Sequence, residues 1–351
     1  MLISKPYIIP IFIPQLGCLH RCVYCHQPTI TGVKPHLDLK QIKNQIEFFL
    51  LRKRYPKRKH IQIAFYGGRF TALNPKWREK LLTLAFQYVQ TGQVHSIRLS
   101  TRPDAINKIV LTELKTYGVK TIELGVQSLD NKVLDVCQRG HDAEAVYKAT
   151  DLIKIHGFQL GWQLMPGLPE ESAESRKKTI DGILKWRPDF IRIYPTLVIK
   201  DTILAKWWEE KKYLPLSLTE AVKICKEMVL IFQKANIPVI RIGLQTSESL
   251  LQPGHILAGP WHPAFGELVK SAIILEKVRI ILEQYFSKAK IINIFVHPTK
   301  ISQVMGQRKK NYQKLKTYFP QKRIAIFSDL ELKREEIKIV TLEKKPICLT
   351  W

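Results

Sequence analysis

Short runs of β-branched and aromatic residues recur along the first two thirds of the chain, and amphipathic stretches separate them. YIIPIFI (7–13), IQIAFYGG (61–68), SIRLSTRP (96–103), TIELGVQS (121–128), FQLGWQLMPGLP (158–169), DFIRIYP (189–195) and IPVIRIG (237–243) each read as a strand. Between them Leu39–Leu51, Lys76–Tyr88, Ala143–His156 and Leu218–Ala235 space their apolar residues as helices do. Strand and helix alternating in this way predict a mostly parallel α/β sheet or barrel over Met1–Leu244. Seven strands fall short of a closed eight-stranded barrel. The expected form is therefore a partial, open βα barrel whose site lies in the loops at the carboxyl ends of the strands.

After Gly243 the pattern changes. LQTSESLLQPGHILAGPWHPAFGE (244–267) is rich in Gly, Pro and Ser and has no sustained period, and it precedes a helix near Leu268–Phe286. Strands IINIFVH, RIAIFSD and IKIVTL around a helical SQVMGQRKKNYQKLKTYF predict a small α+β module. The expected division is a core domain over 1–245 and a basic module over 246–351. The chain shows no internal repeat and no low-complexity run.

Composition adds a partner class. Of 351 residues 45% are hydrophobic and 25% charged, enough for a sizeable core, and the formal net charge is +26. Such a charge suits a polyanion such as nucleic acid, and it equally suits a solubility habit of a Lys-rich proteome. No stretch reaches the ~20 apolar residues of a membrane span. The start MLISKPYIIPIFIPQLG is too short and Pro-punctuated for a signal peptide, so a cytoplasmic location is expected, with no membrane partner.

Three of the six cysteines, Cys18, Cys22 and Cys25, crowd into GCLHRCVYC, while Cys137, Cys225 and Cys348 are scattered as plain thiols. This is metal chemistry rather than a disulfide scaffold. A structural zinc wants four Cys or His ligands; His20 or His26 can complete such a set, but at intervals tight for a tetrahedron. Three thiolates on a [4Fe–4S] cluster instead leave one iron open to an external ligand. Both readings stand on spacing alone.

The Cys-x3-Cys-x2-Cys spacing, with Tyr24 before the last Cys, resembles the radical S-adenosylmethionine (SAM) superfamily. That resemblance implies a [4Fe–4S] cluster on Cys18, Cys22 and Cys25 and SAM bound at the open iron. Reductive cleavage of SAM to a 5′-deoxyadenosyl radical then abstracts hydrogen from substrate, with electrons from an external low-potential donor. GVQS…RGH and QLMPGLP are similar to a block shared by oxygen-independent coproporphyrinogen oxidase and the Elongator catalytic subunit, and STRPD and IELGVQS lean to the Elongator side. By this likeness Tyr24, the backbone of Gly67 and Gly68, Ser100, Gln127 and Arg139 belong to the SAM site, and Gln163 meets its ribose. Two departures stand out: Arg69 replaces an acidic residue that often follows the Gly pair, and Gln163 stands where the porphyrin enzyme has an acid.

Other residues carry weaker signals. Arg102, Pro103 and Asp104 end a strand, and Asp104 reads as a cap for the next helix. Glu123 is a polar residue inside an apolar strand. Arg139 is suited to gripping a carboxylate, and otherwise to a surface ion pair. His255, Trp261, His262 and Glu267 among glycines fit either an active-site lid or an interdomain connection. RKRYPKRKH and QRKKNYQKLK fit phosphate binding or a solvated face. The leading expectation is a radical SAM enzyme acting on RNA, with tRNA as the model. The acetyl-dependent reaction of Elongator is not carried over, because the chain leaves no room for its acetyltransferase domain. A tetrapyrrole or other small molecule is the alternative substrate, a partner protein activated by radical transfer is a further possibility, and a zinc-bearing nucleic-acid module is the alternative of another class.

Overall fold

A computed structural model describes residues 6–13, 22–32, 36–52, 60–67, 69–244, 247–342 and 345–350. Cys18, His20, Gly68 and most of RKRYPKRKH lie outside the described residues. The chain divides into two compact units, Met1–Ser217 with Phe232–Trp261 and Leu218–Ile231 with His262–Trp351.

In the first unit all seven expected strands form one parallel sheet. They are β1 (Tyr7–Phe12), β2 (Ile61–Tyr66), β3 (Ser96–Thr101), β4 (Val119–Gln127), β5 (Gln159–Leu164), β6 (Phe190–Ile193) and, after the two-residue β7 (Val198–Ile199), β8 (Val239–Ile242). Their order is β1-β2-β3-β4-β5-β6-β8, each next to its predecessor in the chain, as right-handed crossovers through helices demand. Ile61–Phe65 and Ser96–Thr101 are buried throughout, the second although four of its six residues are polar. The architecture is α/β, a curled half-barrel of seven strands.

Helix starts are chemically marked. Asn74 caps Pro75–Gln90 with Pro at the first position, and Asp142 caps Ala143–Ile155. Asp104 caps nothing: Asn107 accepts from Val110 N and starts Lys108–Thr116. Gly161 of β5 pairs in register with Phe190 of β6, and any Cβ there would lie 2.1 Å from the Phe190 ring. The glycine is thus the space that the ring fills.

The composition change after Gly243 falls inside the first unit. Ser249 Oγ donates to Thr29 O at 3.0 Å, and β9 (Ile256–Ala258) pairs antiparallel with β7, so the Gly- and Pro-rich segment returns to the barrel. The second unit has the order β11-β10-β12-β13, from β10 (Ile291–Val296), β11 (Arg323–Ser328), β12 (Glu336–Val340) and β13 (Ile347–Thr350). Helix Phe265–Tyr285 packs on it through Ile274, Val278 and Leu282. The single helix expected around QVMGQRKKNY is two, Ile301–Met305 and Lys310–Tyr318. Gly306 (φ 74°), Arg308 and Lys309 adopt positive φ there, and a Cβ on Gly306 would meet Asn311 N at 2.8 Å. Among the described residues no helix is long and apolar enough to cross a membrane.

The barrel interior holds one polar network. Glu123 of β4 is fully buried and receives Arg98 Nη1 at 2.7 Å, Arg192 Nη2 at 2.9 Å and Gln163 Nε2 at 3.0 Å. Arg98 also donates to Gln62 Oε1 at 3.1 Å, and Gln62 to Ser96 Oγ at 3.0 Å. Removing the carboxylate leaves the buried Arg98 and the partly buried Arg192 without their shared partner. Glu123→Gln is therefore expected to destabilise the fold by about 3–5 kcal/mol. A urea titration checks this, and a midpoint equal to the parent's would contradict it.

Candidate active site

The position of the segment from Cys22 is set by backbone bonds. Val23 N donates to Cys137 O at 3.2 Å, Leu204 N to Val23 O at 2.8 Å, and Cys25 N closes a turn on Cys22 O at 3.0 Å. Cys22, Val23 and Tyr24 are packed among Val133, Cys137, Leu168, Val198 and Leu204, an apolar bed that keeps water from one side of the loop. Cys137 is buried and its thiol is pushed up to about 12 by burial, so at neutral pH it is a packing group, as expected of a scattered thiol.

A cavity of about 530 Å³ opens over this loop at the carboxyl ends of the strands. It gathers Cys22, Tyr24, Cys25, Gly67, Ser100, Gln127, Arg139 and Gln163 from the ends of β2, β3, β4 and β5, the turn that carries Arg139 and the cysteine loop. Every described residue expected to hold the cluster or SAM lies on its wall. Cys18 and Gly68 lie outside the described residues.

Arg139 is the central cation. It is buried, and it donates Nη1 to Cys22 Sγ at 3.1 Å and Nη2 to Gly125 O at 2.5 Å. Burial opposes its charge, which the hydrogen bond to the Cys22 sulfur helps to hold. Among the described residues it makes no ion pair; its hydrogen-bond neighbours are a sulfur, a carbonyl and the His141 ring, 3.3 Å away. Burial and the nearby guanidinium push His141 down to about 4, so at neutral pH it is an uncharged acceptor. His141 was not singled out from the sequence, although it stands in the RGH signature. Burial raises the Tyr24 hydroxyl well above its ordinary value, so it is a neutral hydroxyl.

Gly67 has φ +85°, and an added Cβ would lie 2.8 Å from Ile13 O, so only glycine lets this strand end pass so close. Gln127 ends β4 at φ 68°, a left-handed conformation rare for a side-chain-bearing residue. Gln163 Nε2 bridges Ser100 Oγ at 3.3 Å and Glu123, which fixes the direction of its amide. Arg69, at the place where an acid is common, finds its acid elsewhere: its Nη2 lies 2.6 Å from Asp104 Oδ2, and Arg102 holds the other oxygen at 3.0 Å.

Sequence reasoning missed Arg192 and Arg241 on the wall. They are register partners on β6 and β8, and their only linear signal is an arginine set within each apolar strand. His255, Trp261, His262 and Glu267 do not line the cavity. His255 Nδ1 engages Ser249 O at 2.6 Å and Glu267 pairs with Lys270. Leu244 and Ser247 are the parts of that stretch on the wall.

The wall fits the cofactors expected. Tyr24 Oη, Arg102 Nη1, Gln127 Oε1 and Arg139 Nε are buried and lack a hydrogen-bond partner among the described residues, though all four side chains line the cavity. Buried polar atoms are rarely left so, and a polar ligand that reaches them removes the cost. Soft thiols beside a buried cation match an iron–sulfur centre, whose sulfur donors carry negative charge. His26, weighed as a zinc ligand, has its Nδ1 on Thr29 Oγ1 at 2.7 Å.

Comparison with known proteins gives the same answer. Residues 12–183 match the radical SAM superfamily and residues 188–274 match the radical SAM C-terminal domain. The tRNA uridine(34) acetyltransferase of Methanocaldococcus infernus is 33% identical over 187 residues, 52% of this chain and 35% of that protein. Human Elongator complex protein 3 is 27% identical over 241 residues, 58% of this chain and 44% of that protein. The chain thus spans less than half the length of these relatives. The structure of archaeal Elp3 from M. infernus, with an N-terminal deletion, superposes with a TM-score of 0.60 at 24% identity, over 81% of this chain and 68% of that one, a likeness of fold. A zinc-bearing module without catalysis is overturned by these matches. The chain belongs to the radical SAM superfamily, enzymes that bind a [4Fe–4S] cluster and S-adenosylmethionine.

Proposed function

We propose that this radical SAM enzyme modifies RNA, with tRNA as the leading substrate. The observation that carries the reading is the likeness to a tRNA uridine(34) acetyltransferase over half of this chain. The net charge of +26 agrees with a polyanionic substrate. Acetyl transfer is not assigned, since 35% of that relative's length is matched.

In this reading Cys18, Cys22 and Cys25 hold the cluster, and Tyr24, Gly67, Gly68, Ser100, Gln127, Arg139 and Gln163 form the SAM site. When bound, the cluster supplies an electron that splits the SAM sulfonium and so provides the oxidant for hydrogen abstraction. The chain's own residues prepare the place. Arg139 offsets the negative charge of the sulfur donors, and Arg139 Nε and Gln127 Oε1 remain open to a polar ligand. Glu123 and Ser100 aim the Gln163 amide, and the apolar bed beneath Cys22 and Tyr24 excludes water, which strengthens each of these contacts. A small external reductant or a protein donor supplies the electron.

Anaerobic reconstitution of Cys22→Ala is expected to give a protein without iron or sulfide and without methionine release from SAM. Arg139→Ala is expected to keep its iron but bind SAM roughly ten- to 100-fold more weakly, the loss of about 1.5–3 kcal/mol from a charged hydrogen bond. Equal SAM affinity in the two proteins would remove Arg139 from the site.

The substrate class is tested by filter binding of bulk tRNA over a range of salt. Affinity should fall steeply as salt rises, because neutralised phosphates release counterions. Binding that is absent, or indifferent to salt, rules out the RNA substrate and leaves the radical chemistry standing.

A further inference from the structure

The second unit carries a surface that this chemistry does not use. Its four-stranded sheet buries only one face: Ile292, Ile294, Val296, Ile324, Ile337 and Ile339 alternate inward to the core. The residues between them face away. On that outer face Phe295 of β10 and Phe327 of β11 are register partners on adjacent parallel strands, with rings stacked at 5.4 Å and 26°. Phe327 is 45% exposed. Lys338 of β12 is the register partner of Phe295 on the other side, and the exposed Cys348 of β13 completes the row. Arg323, exposed, stands on the same face of β11, and Asn293 on the same face of β10.

A single exposed phenylalanine needs no explanation. Two in register, stacked, with a cation in the same row, are a more specific arrangement. A flat π surface beside positive charge is what single-stranded nucleic acid recognition uses, because every base has a π-face and every nucleotide a phosphate. The surroundings have the matching sign: residues 262–351 contain 18 Lys and Arg against 8 Asp and Glu. The same charge argues against a second copy as the occupant, since a two-fold contact would press two equally basic surfaces together.

We propose that the outer face of this sheet binds single-stranded RNA, with a base continuing the Phe295–Phe327 stack and Lys338 and Arg323 meeting phosphates. This rests on the RNA reading above and adds a second contact, away from the cysteine loop in sequence and in fold unit.

The test uses the full chain and a fluorescein-labelled ten-nucleotide oligouridylate, followed by anisotropy, with bulk tRNA in parallel. Phe327→Ala is expected to weaken oligonucleotide binding roughly five- to 150-fold, the cost of one lost stacked base, while Phe327→Tyr stays close to the parent. Lys338→Gln is expected to reduce the salt slope by about 0.7. Phe327 is a surface residue, so these variants should keep the parent's urea midpoint. Photocrosslinking of a 5-iodouridine oligonucleotide is expected to label the peptide that carries Phe295 or Phe327. Unchanged oligonucleotide affinity in Phe327→Ala, or crosslinks confined to other peptides, overturns the proposal while tRNA binding by the parent keeps the RNA reading. If the parent binds neither RNA, both fall. A dimer that Phe327→Ala dissolves would assign the face to a second copy instead.

Discussion

A single buried carboxylate organises the interior of the barrel. Glu123 sits on the central strand β4 and meets arginines from β3 on one side and β6 on the other. Charges so far from water persist only when paired, so the three side chains hold one another in place and hold the strands that carry them. The same carboxylate receives the Gln163 amide, which reaches on to Ser100. The rigid structural network and the cofactor wall are therefore one set of hydrogen bonds.

Charge balance then explains the character of the cavity. Its wall includes Arg102, Arg139, Arg192 and Arg241 and, among the described residues, no Asp or Glu. Glu123 and Asp104 stand behind the wall, each shared between two arginines. Such a cavity favours negative groups, and the family's cofactors bring several: thiolate and sulfide, and the SAM carboxylate. Register places Arg192 and Arg241 side by side near the ends of β6 and β8, and Glu123 already compensates the first of them.

The second unit extends this logic by a different route. Its charge lies on an open sheet and short helices rather than in a cleft, and its aromatic pair offers stacking where the barrel offers hydrogen bonds.

Periodicity alone determined much of this protein. Each barrel strand turns a row of Ile, Val, Leu or Phe to the apolar core, so all seven were legible although their interior face carries Gln62, Arg98, Glu123, Gln163 and Arg192. The cysteine loop and the Gly67, Gln127 and Arg139 positions were legible because their chemistry sits in short local motifs. Edge elements were not: β13 is four residues after Pro346, too short to show an alternation, and the break at Gly306–Lys309 is set by positive φ angles in a segment of helical composition. Nor were the partnerships. Arg98, Glu123 and Arg192 lie 25 and 69 residues apart, and Arg69 meets Asp104 across 35. A charged residue within an apolar strand announces that it needs a partner, but which one it finds depends on strand order and register. Local sequence determines the elements and the reactive groups; only the curled sheet decided which charges neutralise each other and which polar atoms were left facing the cavity.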